Sequence, residues 1–240
     1  MSTEIRIGTS GWHYIHWRGS FYPEDLPAEQ LLAFYAQHFD TVEINSSFYR
    51  LPTAHTVQSW YDTVPKDFCF AFKGSRFITH MKKLNNPGPA IERMLPALAG
   101  LMEKRGPVLF QLPPHWRRNT GRLRLFLEAL PVELPCAFEF RDDSWHHPEI
   151  YALLKRYKAA FCIFGLAGIC SPIEITADFS YVRLHGPAEA YAGSYGRKSL
   201  REWAARISGW RDLKKVYVYF DNDQAGYAVH NALTLKELLA

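Results

Sequence analysis

Eight short runs rich in β-branched and aromatic residues, most followed by a stretch of helical periodicity, limit this fold more than any other feature. They are Ile5–Ser10, Thr41–Ser46, Phe68–Lys73, Pro107–Leu112, Cys136–Arg141, Ala159–Phe164, Phe179–His185 and Lys215–Asp221. Helical spacing falls at Glu29–His38, His55–Asp62, Pro89–Glu103, Gly121–Leu130, Pro148–Lys158, Ser199–Ile207 and Gly226–Leu239. A prolines-first pattern marks two of these starts, and Ser199 with Glu202 reads as a capping box. Strands alternating with helices imply a parallel α/β sheet. Eight of them favour a closed (β/α)8 TIM-like barrel over an open doubly wound sheet, and no GxGxxG follows the first run. The 240 residues show no linker or composition break, so residues 1–240 are expected to form one barrel domain. The segment between the sixth and seventh runs, GLAGICSPIEITAD, is expected to be irregular.

The fifth run, CAFEFR, shows what the barrel encloses. Strand side chains alternate, so Phe138 and Phe140 share one face while Ala137, Glu139 and Arg141 share the other. Charged groups are seldom buried without partners, so Glu139 and Arg141 must meet a polar cavity. The same alternation puts Glu43 and Asn45, Lys73, Gln111, Arg183 and His185, and Tyr219 and Asp221 on inward faces near strand C-terminal ends. Barrel enzymes place their sites at that end. Glu43 and Glu139 are acid/base candidates if unlike surroundings push their pKa values apart. His185 and Asp221 complete the catalytic set, and Lys73, Arg141 and Arg183 suit an anionic ligand. Asn45, Gln111, Tyr219 and Asn222 are read as substrate-binding, with Trp12 and Trp145 as stacking surfaces at the same mouth. Trp17 and Phe21 read as a loop-packing cluster. His80 is the one loop histidine that merits a test. The loop His185–Lys198 leads into a helix start where barrels often hold phosphate, and equally reads as a surface loop.

Composition narrows the partners. A net charge of +4 is too small to imply nucleic acid, and no apolar run approaches membrane-spanning length. MSTEIRIGTS carries no basic-then-apolar leader, which favours the cytoplasm. The four cysteines have no metal-ligand spacing and are expected to be unpaired. No HxH or HExxH supports a metal, no cofactor is evident, and a divalent ion at Glu43, Glu139, His185 and Asp221 is kept as an alternative.

The blocks GTSGWHYIHWRGSFYP, VEINSSFYR, FAFKGSRFITH, PVLFQLPP, FEFRDDSW, YVRLHG and YFDND, with the later NAL at 231–233, resemble, in this order and over essentially the whole chain, the YecE-like family, a domain of unknown function. The resemblance implies a TIM-barrel-like fold and carries no reaction with it. Glu43, Asn45, Lys73, Gln111, Glu139, Arg141, Arg183, His185, Asp221 and Asn222 all lie within those blocks. It also implies an acidic residue just after the sixth strand, where this chain has Gly165 and Leu166 instead. The leading expectation is an enzyme acting on a small anionic, phosphorylated or acidic sugar-like substrate. The alternatives are a nucleic-acid-binding or -processing protein, and a non-catalytic barrel that binds a metabolite or partner. Oligomeric state is not legible.

Overall fold

The computed structural model describes residues 3–240. Eight strands run parallel in the order β1-β9-β8-β6-β5-β4-β3-β2, where β1 is Glu4–Thr9, β2 Thr41–Ile44, β3 Cys69–Lys73 and β4 Arg105–Leu112. The others are β5 Cys136–Phe140, β6 Ala160–Leu166, β8 Phe179–Leu184 and β9 Lys215–Phe220. A two-residue β7, Ile169–Cys170, folds back antiparallel on the end of β6, so the expected irregular segment begins as a hairpin. Seven α-helices accompany them: α1 Leu31–Tyr35, α2 Ala54–Thr63, α3 Gly88–Ala99, α4 Thr120–Ala129, α5 Pro148–Arg156, α6 Arg197–Ser208 and α7 Tyr227–Leu239. The arrangement is a single, nearly closed barrel.

Closure falls between β1 and β2, which share one isolated bridge, Ser10 to Glu43, rather than a ladder. A side chain supplies the missing link. Thr9 N–H donates to the Tyr35 hydroxyl (3.0 Å), and that hydroxyl donates to the Thr41 carbonyl (3.1 Å). Gly8 lets the two strands approach, since a Cβ there would lie 2.2 Å from the Thr41 oxygen.

Alternation sorts the strands into two packing layers. Phe70, Phe72, Phe110, Phe138, Phe140 and Phe161 face outward and are buried beneath the helices. Inside the barrel, Ala71, Ala137, Ala160 and Cys162 leave room for Tyr181, Tyr217 and Tyr219. Large residues set against small ones fill a barrel interior without voids.

Three helix expectations are corrected. Only Leu31–Tyr35 of the first is α-helical, preceded by a 3-10 turn at Ala28–Gln30 that follows Pro27. The third ends at Ala99, and Met102–Lys104 forms a separate 3-10 turn. The sixth begins at Arg197 with Gly196 as N-cap and no side-chain cap, so Ser199 and Glu202 lie inside the helix and form no capping box.

Candidate functional site

Arg183, on β8, is the hub of the barrel's C-terminal end and is fully buried. Its Nη2 donates to Glu43 Oε1 on β2 (2.7 Å), to Asp221 Oδ2 after β9 (3.0 Å) and to Ser10 Oγ (3.3 Å). Its Nη1 donates to Glu139 Oε2 on β5 (2.9 Å) and to Gln111 Oε1 on β4 (3.4 Å). One guanidinium thus ties the ends of five other strands to β8, because its rigid fork of donors can serve several carboxylates at once. Arg183 Nε is buried and has no partner.

Around this hub the remaining groups are tightly assigned. Arg141 Nε donates to Glu139 Oε1, and its Nη2 lies 2.9 Å from His185 Nε2. The Arg183 Nη1 donor also faces that nitrogen at 3.3 Å. Two guanidinium donors make Nε2 the accepting atom, so the ring proton sits on Nδ1 and points to Asp221 Oδ2 at 3.1 Å. Glu43 takes two further donors, Ser10 Oγ (2.6 Å) and Tyr181 OH (2.7 Å).

Electrostatics follow from these contacts. Burial alone would raise the Glu139 carboxyl, yet Arg141 and then Arg183 hold it well below its ordinary range. Asp221 is likewise lowered against the effect of burial, by Arg183 and His185. Both are therefore carboxylates at neutral pH. Of the two acid/base candidates, Glu139 is the one from which two guanidiniums keep the proton off. Burial, and next the Arg183 charge, lowers the Lys73 ammonium below its usual value.

Exposure decides which groups a ligand can touch. Glu43, Glu139, Arg183 and His185 are 0% exposed, whereas the side chains of Arg141 and Asp221 keep 8% and 14%. Lys73, at the end of β3, is half-buried and lies 4.7 Å over the Phe48 ring. Among the described residues, Lys73 makes no ion pair. Asn45 reaches only the Ser10 carbonyl (3.3 Å), and its Oδ1 is buried without a partner. His80 packs edge-on against Phe48 at 5.0 Å, and burial with the nearby Lys73 lowers its pKa.

The structure thus brings Glu43, Lys73, Gln111, Glu139, Arg141, Arg183, His185 and Asp221 to one end, with Asn45 beside them. Four other candidates lie apart. Trp145 is fully buried, stacked on Phe140 and donating to the Trp116 carbonyl (2.6 Å), so it stands behind the barrel wall and cannot stack on a ligand. Trp12 packs edge-on against Trp60 of α2. Tyr219 is buried inside the barrel, its hydroxyl bonded to Thr41 Oγ1 (2.7 Å). Asn222 donates to the Gly193 carbonyl (2.7 Å) and to Asn231 Oδ1 (2.9 Å), which fastens the 185–196 loop to α7.

Ser10, Tyr181 and Asn231 complete the network without having been singled out. Ser10 ends its strand and Tyr181 alternates with Arg183, so strand position was the available signal; Asn231 opens the NAL block at 231–233 that the family resemblance marks. Trp17 centres the aromatic cluster of the first loop, and its Nε1 donates to Asp223 Oδ1 (2.8 Å). Burial pushes Asp223 up to about 6. Among the described residues, no group of three or more His, Cys, Asp or Glu side chains is placed to hold a metal. The Arg183 guanidinium stands where a cation between Glu43, Glu139 and Asp221 would sit.

A model of the protein family of unknown function DUF72 matches residues 6–240. This chain belongs to that family. The UPF0759 protein YunF of Bacillus subtilis is 27% identical across 98% of this chain and 94% of its own length. The UPF0759 protein YecE of Escherichia coli K12 is 32% identical over 49% of this chain and 42% of its own. A DUF72 family protein of Thermotoga maritima superposes with a TM-score of 0.88 at 28% identity, covering 98% of this chain and 99% of that one. Another from Enterococcus faecalis superposes at 0.80 with 22% identity, covering 99% and 98%, and speaks to the fold alone. No helix among the described residues is long and apolar enough to cross a membrane. All four cysteines are unpaired.

Proposed function

We propose that the protein is an enzyme acting at the C-terminal mouth of its barrel on a small polar anion of the phosphorylated or acidic sugar-like class. The observation that carries this reading is Lys73, a desolvated cation with no carboxylate partner among the described residues, beside a network in which every other charge is paired. Lys73 holds the anion, and Arg141 offers its exposed edge as a second donor. Asp221 is the ionised carboxylate within reach of solvent and serves as general base. His185 positions it through the Nδ1 proton. Glu43 and Glu139 act by fixing Arg183, and all these dipoles are set before the ligand arrives. Three carboxylates balance three cations at this mouth, which favours a small ligand over a polyanionic backbone. Four unpaired thiols support a reducing, cytoplasmic setting.

A thermal-shift panel of inorganic phosphate, sugar phosphates, sugar acids, neutral sugars and oligonucleotides tests the assignment. A ligand near 100 times its Kd adds roughly 2.7 kcal/mol of stability. The expected hits are small anions, lost in Lys73→Met but retained without turnover in Asp221→Asn. Stabilisation by oligonucleotides or neutral sugars alone, or an unchanged response in Lys73→Met, refutes it.

A further inference from the structure

The opposite, N-terminal end of the barrel holds a half-open cavity of about 710 Å³ that the proposed chemistry does not use. It opens where β4, β5, β8 and β9 begin, between the α4–β5 and α5–β6 connections. The size lies within the roughly 300–1,000 Å³ that small-molecule sites occupy.

The lining has two parts. The floor is apolar and buried, made by Leu127, Leu130, Leu134, Phe179 and Tyr217, with the last two rings edge-to-face at 6.0 Å. The rim is basic. Lys214 is bound to Asp178 (2.7 Å) and Lys215 to Glu4 (3.0 Å), while Glu128 is engaged by Arg124 (2.9 Å) and the Tyr157 hydroxyl (3.1 Å). Arg105, Arg156 and Lys158 also line the cavity, and among the described residues none of the three makes an ion pair; Glu133 is the one rim carboxylate left to oppose them. Three cations without a carboxylate partner, of which Arg156 lies over the Tyr157 ring at 5.9 Å, above an aromatic floor suit a ligand with matching halves.

We propose that this N-terminal mouth is a second binding site, for a small anion with a flat apolar body and a phosphate, sulfonate or carboxylate head. The body lies on Phe179 and Tyr217, and the head is held by Arg105, Arg156 and Lys158.

The full chain is titrated with 8-anilinonaphthalene-1-sulfonate, an aromatic anion that reports by fluorescence, alongside Arg156→Glu, Lys158→Glu and Lys73→Met. The two reversed positions are exposed, so both variants are expected to fold, with a small loss of Tm for Arg156→Glu because Arg156 lies in the last turn of α5. Expected is one saturable site, weakened about tenfold by each reversal and left unchanged by Lys73→Met, which alters the other mouth. Displacement by 1-naphthyl phosphate against 1-naphthoate identifies the preferred head. Amide shifts at Tyr157, Phe179 and Tyr217 in the wild type locate the probe. No saturable binding, wild-type affinity in both reversals, or displacement by neutral 1-naphthylmethanol as effective as by the acids overturns the proposal.

Discussion

Replacing Arg183 by Met removes the one cation that Glu43, Glu139 and Asp221 share. Methionine fills much of the volume, so the loss is mainly electrostatic. Glu139 keeps Arg141, whereas Glu43 is left with two neutral donors, Ser10 and Tyr181, in a fully buried position. Breaking a buried pair by removing one partner costs about 3–5 kcal/mol, because a charge stays desolvated. For a chain of this length that corresponds to a fall in Tm of roughly 6–20 °C. Linkage adds a sharper signature. Arg183 lowers the carboxyls of Glu139 and Asp221, so without it the native state binds more protons at a given pH. The stability gap between wild type and variant must therefore widen as pH rises and narrow as pH falls. Urea unfolding followed by the fluorescence of the seven tryptophans, at about pH 7.5 and about pH 5, measures both quantities. A variant within about 1 kcal/mol of wild type at the higher pH, or a gap that grows on acidification, would refute the view that Arg183 neutralises the site.

Other perturbations test separate parts of the structure. In the wild type, Glu139 and Asp221 have depressed folded pKa values, so their contribution is full above the ordinary carboxyl range of about 4 and is lost as pH falls through the folded values. Acid unfolding monitored by circular dichroism should show it, and stability unchanged well below that range would contradict it. Tyr35→Phe removes the hydroxyl that links Thr9 to Thr41 across the β1–β2 closure and should cost about 1–3 kcal/mol in urea. Asn231→Leu strips partners from Tyr195 N and Asn222 Nδ2, and the 185–196 loop should lose amide-exchange protection before the barrel does. Asp223 should titrate near 6 by NMR, with the Trp17 indole proton shifting in step, and a midpoint near 3.8 would show that burial does not govern it.

Much of this architecture was legible because period-2 alternation is a backbone property. Phe138 and Phe140 had to face away from Glu139 and Arg141 once the run was a strand, and the same logic gathered Lys73, Gln111, Arg183 and Asp221. What alternation cannot say is who meets whom. Glu43 and Glu139 read as acid/base candidates, and that both bond Arg183, across 140 and 44 positions of sequence, was not legible. Trp145 looked like a mouth aromatic because it follows β5 directly, but a 3-10 turn at Asp143–Trp145 carries it back under Phe140. Ser199 and Glu202 had cap spacing, and Gly196 began the helix three residues sooner. The link through Tyr35 depends on tertiary placement of a short helix and leaves no local trace.

Lys73 carries the functional account, and its own titration is the most direct measurement. Burial and Arg183 hold the free amine below its ordinary value, and a bound anion would stabilise the ammonium form. NMR of the Lys73 Nζ, followed against pH with and without inorganic phosphate, should give a low midpoint in the free protein that rises when phosphate is added. A midpoint that phosphate leaves in place would mean that Lys73 does not receive the anion, and the proposed site would be wrong.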